Sequence, residues 1–328
     1  MRSLFLIFCF SFSVFNSNAQ QVYSKKEPLA HTYSIVARDT VTGEMGVAVQ
    51  SHWFSVGSIV TWGKAGVGVV ATQSFVNPSF GPRGLSLLEN GLSPQLAVKT
   101  LLGLDEGRDV RQLAIIDVEG NVEAYTGINC IEAAGHIIGD NFSVQANLMD
   151  NSRVWPAMAK AFENSTGSLA HRMLLAMEAG QKEGGDIRGK QSVAILVVKD
   201  KSTGNKWEDT VVDLRVEDHK EPLKEMRRLL NIYSAYDFMN KGDLAIEKND
   251  FMLAKKHYKN AQKLNPDNLE MKYWYAVTLA NNGELKEAKI ILKDIFEKNN
   301  NWRILTSRLI KSKLLLISNE QLQEILKL

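Results

Sequence analysis

Thr32-Tyr33-Ser34-Ile35-Val36-Ala37-Arg38-Asp39, Gly46-Val47-Ala48-Val49-Gln50-Ser51 and Gly66-Val67-Gly68-Val69-Val70-Ala71-Thr72-Gln73 decide the fold. All three runs are rich in β-branched and small apolar residues and are bounded by turn formers, which is the pattern of strands. Thr42-Gly43-Glu44 turns the first run back into the second. A hydroxyl residue, Thr32, opens the first strand. Polar residues close the other two: Ser51 and His52 after one, Thr72 and Gln73 at the end of the next. Asn77-Pro78-Ser79-Phe80-Gly81-Pro82-Arg83-Gly84 then leads into a helical stretch.

Outward from this block the same two patterns alternate. Leu113 to Asp117 and Val122 to Thr126 flank Glu119-Gly120-Asn121 as a hairpin. Further strands are expected at His136 to Ile138, Phe142 to Gln145, Ser192 to Val198 and Thr210 to Val216. Two helices fit between Gly81 and Gly103, the second opening on Ser93-Pro94, an N-cap followed by proline at the first helical position. Two more fit Arg153 to Asn164 and Ser168 to Glu183, where apolar residues recur every three or four positions. Hairpins alternating with helical pairs suit antiparallel sheets covered by helices, an α+β class.

Past Pro222 the chain reads as helix and repeats itself. Gly242, Asp250-Phe251, Ala254, Tyr258, Ala261 and Pro266 fall at tetratricopeptide positions. Ala254 and Ala288 lie 34 residues apart, the period of that repeat. Flanking helices are expected at Leu223 to Met239 and Trp302 to Leu328. The organisation is therefore a signal peptide at 1–19, an extension at 20–31, a mixed domain at 32–218 and an all-α solenoid at 223–328.

The formal charge of the 328-residue chain is +2, so no global field favours nucleic acid or an anionic membrane. The charge is split, +6 from Lys220 onward (20 basic against 14 acidic) and −4 before it (19 against 23), which agrees with two modules. Arg2 precedes an apolar run from Leu4 to Phe15, and Ser17-Asn18-Ala19 offers a cleavage site. The run is shorter than the roughly 20 residues of a permanent span, so the expectation is export to the periplasm or exterior with no membrane span afterwards. Cys9 falls in the leader, leaving Cys130 alone, expected to be a small buried side chain.

The segment from Thr32 to about Val216 resembles the domain-of-unknown-function family 1028, which is grouped with the N-terminal-nucleophile (Ntn) hydrolase-like proteins. The resemblance rests on the three opening strands, Asn77 to Leu88, Gly107 to Leu113, Thr126-Gly127, Ala134-Gly135-His136 and Gly184-Gly185-Asp186-Ile187-Arg188-Gly189-Lys190-Gln191-Ser192. It implies a four-layer αββα sandwich. In such enzymes the hydroxyl of the first residue attacks an amide carbonyl while its own α-amine, of unperturbed pKa near 8, takes the proton. Thr32 is the residue placed as nucleophile, with Lys64 and Ser51 as assisting groups. His52, Thr72, Gln73, Asn77, Asp186, Arg188 and Gln191 are expected to face substrate. His52 also reads as a structural histidine, and the Asp186 to Gln191 turn as a solvated loop whose glycines supply positive φ.

The implied reaction is cleavage of a small amide or peptide, with the repeats docking a protein partner and homo-oligomerisation left open. The residues Gln20 to His31 stand against it, because with His31 attached Thr32 has no free amine. The alternative is a non-catalytic ligand-binding domain of the same fold. No cofactor is expected. Gly66-Val67-Gly68-Val69-Val70-Ala71 lies within a strand instead of opening a helix, unlike a dinucleotide loop. The six histidines lack metal-ligand spacing.

Overall fold

The computed structural model describes residues 29–328. The expected signal peptide at 1–19 and most of the expected extension at 20–31 lie outside the described residues. The strands are β1 (Leu29–Ala30), β2 (Thr32–Arg38), β3 (Met45–Ser51), β4 (Thr61–Lys64), β5 (Gly68–Phe75), β6 (Arg111–Asp117), β7 (Val122–Thr126), β8 (Gly135–Gly139), β9 (Phe142–Ala146), β10 (Ser192–Val198) and β11 (Thr210–Val216). The first domain's helices are α1 (Gly57–Val60), α2 (Phe80–Glu89), α3 (Pro94–Gly103), α4 (Val154–Glu163), α5 (Leu169–Lys182) and α6 (Lys206–Asp209).

One sheet has the order β11-β10-β3-β2-β9-β8; the other has β1-β5-β6-β7, with β4 also on β5. Among the described residues the strand pairings in both sheets are antiparallel, as hairpin connections allow. Period-2 alternation assigns each side chain to a layer. Along β2, Tyr33, Ile35 and Ala37 pack toward α4 and α5, while Val36 joins Val47, Val49, Val69, Ala71 and Ile116 between the sheets. Val70, Leu113 and Ile115 face the other way, onto α2 and α3. Helices, sheet, sheet and helices stack as the expected four-layer αββα sandwich. A fully buried Ile or Leu in these layers contributes about 1.5–3 kcal/mol.

The helical region comprises α7 (Pro222–Glu247), α8 (Phe251–Leu264), α9 (Leu269–Asn281), α10 (Leu285–Lys298), α11 (Asn301–Arg308) and α12 (Asn319–Leu326). Ala254, Ala261 and Ala288 are buried, and a Cβ on Gly242 would meet the Tyr258 ring at 2.5 Å. Small residues thus let the paired helices approach, with Tyr258 filling the space between them. One expectation is corrected here. The flanking helix does not stop at Met239; it runs unbroken through Gly242 to Glu247 and supplies the first repeat's leading helix. The boundary by packing falls inside α7, because Leu223, Met226 and Leu230 join the sandwich core while Ala235, Met239 and Ala245 join the repeat core. No helix among the described residues is long and apolar enough to cross a membrane.

Candidate functional site

Thr32 opens β2, a central strand, and is completely buried. Its Oγ1 donates to the Ala30 carbonyl at 2.8 Å, and that carbonyl cannot act as a base. The bond ahead of it, His31–Thr32, is held from several sides. The His31 carbonyl oxygen accepts from Ser51 Oγ at 2.5 Å and from Arg188 Nη2 at 2.8 Å. Ser51 reaches it because β3 pairs with β2 in the register Thr32↔Ser51.

Arg188 reaches it because Asp186 holds the guanidinium as a fork, Nε to Oδ1 at 3.0 Å and Nη2 to Oδ2 at 2.7 Å. The Asp186 side chain is fully buried and also accepts the backbone N–H groups of His52 and Arg188. Such a charge is tolerable in the interior only because its lone pairs are taken up. Positive φ at Gly184 and Gly185, 119° and 68°, lets the loop after α5 turn to place it.

On the other side of Thr32 a network of uncharged polar side chains bridges the two sheets. Gln73 Nε2 donates to Gln112 Oε1 at 2.6 Å and to the Thr32 carbonyl at 3.3 Å. Asn147 Nδ2 donates to Gln112 Oε1 at 2.9 Å and also reaches the Thr32 carbonyl. Ser34 links Gln73 and Gln145, with 2.6 Å on each side. The network ends at Thr126 and His136, 2.8 Å apart. His31 joins it through Nδ1 and Asn147 Oδ1 at 2.9 Å. Burial lowers the pKa of His31 and of His136, which favours the neutral form of both rings.

Of the residues singled out in the sequence, Thr32, Ser51, Gln73, Asp186 and Arg188 meet here, with His52 contributing its backbone N–H. The others do not. Lys64 ends β4 at the far end of β5, opposite Gly68, and pairs with Glu89 at 2.5 Å. Thr72 points away from Gln73 and donates to the Asn77 carbonyl, because adjacent strand residues face opposite layers. Asn77 takes the Ser79 N–H and hydroxyl in a turn that leads into α2. Gln191 reaches Asp218 at the surface. Cys130 is half-buried in a loop, its thiol directed at the Arg111 carbonyl and its pKa raised by burial.

Sequence reading missed His31, Gln112, Gln145 and Asn147. A signal for the last two was present. Ser143, Gln145 and Asn147 alternate with Phe142, Val144 and Ala146, so one face of that strand is polar throughout. Ser143, Gln145 and Asn147 are nevertheless fully buried. Among the described residues no cluster of three or more His, Cys, Asp or Glu side chains could hold a metal ion.

Residues 32–226 match the family of unknown function DUF1028. The chain belongs to that family. Residues 245–309 match a tetratricopeptide repeat. The crystal structure of protein SPO2555 from Silicibacter pomeroyi, a DUF1028 protein, is similar over 63% of this chain and 90% of its own, at 28% identity and a TM-score of 0.57. No curated protein matches the chain. This DUF1028 chain therefore joins the family's sandwich to a helical repeat.

Proposed function

We propose that this DUF1028 chain is an exported amidohydrolase of Ntn type, in which cleavage of the His31–Thr32 bond frees the Thr32 amine. The observation that carries the reading is the double hydrogen bond from Ser51 and Arg188 to the carbonyl directly ahead of Thr32. Donors fixed on a carbonyl oxygen stabilise the negative charge that develops there when a nucleophile adds to its carbon.

In the maturation step Thr32 Oγ1 adds to the His31 carbonyl carbon and the hydroxyl proton passes to the departing amide nitrogen. The His31–Thr32 C–N bond breaks, leaving an ester on Oγ1 and a free amine on Thr32. Water then hydrolyses the ester, giving a His31 carboxylate and restoring the hydroxyl. In the mature site a substrate amide carbonyl takes the position between Ser51 and Arg188. Thr32 Oγ1 attacks it, the α-amine receives the hydroxyl proton and passes it to the leaving nitrogen, and water completes the cycle. Asp186 is a positioning residue that keeps the Arg188 fork aimed. The tetratricopeptide region serves as a docking surface for a protein partner.

A second reading, a non-catalytic ligand-binding domain, is favoured by one observation: the complete burial of Thr32 with its hydroxyl on the Ala30 carbonyl. Intact mass and N-terminal sequencing of the protein from its native host separate the two. A chain that begins at Thr32 supports the hydrolase. A chain that keeps His31 in every molecule sinks it, and one that also keeps residues 1–19 removes export.

A further inference from the structure

We infer that the segment ahead of Thr32 lies where the acyl side of a substrate lies. On this inference the site takes an extended peptide with a small residue followed by an imidazole or aromatic residue at the cleaved bond. The inference rests on the site proposed above and names the substrate class for it.

Four observations converge. The edge of β5 is covered by β4 only from Gly68 to Ala71; beyond that, β1 takes it, with Leu29 opposite Phe75 and Ala30 opposite Ser74. Two residues of the extension thus bind by adding a strand to an open sheet edge, a common mode of recognising extended peptides. Ala30 is completely buried and joins the cluster of Val36, Val49 and Val76 between the sheets, a slot that a larger side chain would overfill. The His31 ring stands edge-on to Phe75, with centroids 5.2 Å apart at 87°, and bonds Asn147. Backbone edge, small slot and aromatic wall thus lead in order to the carbonyl held by Ser51 and Arg188. Finally, the segment lies immediately ahead of residue 32, where the family match begins.

Removing the segment leaves the domain's framework in place. Of the described residues only Leu29, Ala30 and His31 go, and every strand from β2 onward keeps a partner. What is exposed is the β5 edge at Ser74 and Phe75, the space held by Ala30 and the Phe75 ring.

The test uses the chain from Thr32 to Leu328, with its thermal melt compared with that of the full chain as the folding control. Three anilides are compared: acetyl-Leu-Ala-His, acetyl-Leu-Trp-His and acetyl-Leu-Ala-Glu. A β-lactone that acylates N-terminal threonine independently of peptide sequence reports whether Thr32 is a nucleophile at all. The expected result is a kcat/KM for the Ala-His anilide roughly 100-fold above that of the Trp-His compound, as steric exclusion from a small pocket gives. Asn147→Ala should erode the preference for His over Glu while leaving the preference for Ala over Trp. Equal turnover of all three anilides overturns the inference and leaves the hydrolase standing. If the lactone does not label Thr32, the hydrolase reading fails. The inference is then decided by equilibrium binding of acetyl-Leu-Ala-His-amide and its Trp counterpart: binding with the same preference supports it, and no binding overturns it.

Discussion

At its Gly68 end β5 lies beside Lys64 and Glu89, whose side chains are 47% and 51% exposed. At its Gln73 end it lies beside Thr32, Gln112 and Gln145, all fully buried. An open cavity of about 790 Å³ sits at the first end, lined by Lys64, Glu89, Asp117 and Asp200 among others. The second end is filled by the chain itself, through Ala30 and His31. The open volume and the buried polar network are thus at opposite ends of one strand. Charges at the solvated end cost little to hold and do little for each other. At the buried end each polar atom needs a partner, and one carbonyl receives two donors. On the proposed reading, the occupant of the site is still attached, so it leaves no empty space to find.

The largest expected effect breaks or keeps that contrast directly. Thr32→Ala should abolish release of a chain beginning at residue 32 and lower amide hydrolysis by roughly 10⁴-fold or more, as loss of a nucleophile does. Ser51→Ala, which removes one of the two donors, should cost roughly 10²–10³-fold. Intact mass over time gives the first, and turnover of the Ala-His anilide gives the second. If Thr32→Ala is released at the wild-type rate, the cut is made by another protease.

Asp186→Asn should come next. The carboxylate is fully buried and carries four hydrogen bonds, two of them from a guanidinium that is 30% exposed. Breaking such a pair leaves a charge without its partner, at a cost of about 2–3 kcal/mol after allowing for water at the Arg188 side. Chemical denaturation measures it. An unchanged midpoint would mean that the Arg188 fork is not set by Asp186.

The sandwich was legible because its strands are runs of β-branched and small apolar residues bounded by turn formers, and because Ser93 ahead of Pro94 marks the start of α3. The repeat was legible because Ala254 and Ala288 must be small at a fixed period. What the alternation could not tell was which polar strand ends share a layer. Thr72 and Gln73 are neighbours in sequence, yet only Gln73 faces Thr32. Lys64 is expected as an assisting group from the family resemblance, and the β4–β5 hairpin carries it to the far end of β5. His31 was read as part of an extension, and its carbonyl turned out to be the group that Ser51 and Arg188 hold. Such contacts depend on the register between strands, which no single segment encodes.

A smaller effect concerns pH. Burial lowers the pKa of both His31 and His136, so the fold favours their neutral forms. The unfolded chain therefore binds more protons as pH falls through the ordinary histidine value near 6.5. The sign follows: the contribution is complete above that value and is lost as pH drops toward the lower folded values. The melting temperature of the chain that still carries His31 should fall between about pH 7.5 and about pH 5.5, and His136→Gln should flatten part of the slope. A profile that is level across that window would show that these rings titrate as freely as in the unfolded chain.

The smallest effect is at the solvated end, and it is the sharpest test of the contrast. Lys64→Ala removes an exposed ion pair to Glu89, so stability should change by no more than about 0.5–1 kcal/mol. Release of the chain at Thr32 and turnover of the anilide should stay within about twofold of wild type, because surface substitutions remote from a site rarely reach it. The family resemblance implies an assisting role for Lys64, and then its loss would lower turnover by orders of magnitude with a pH profile displaced toward the alkaline side. Measured side by side with Ser51→Ala, the two variants set the solvated end against the buried end. A large loss at Lys64 with none at Ser51 would move the working end of the sandwich to the open cavity.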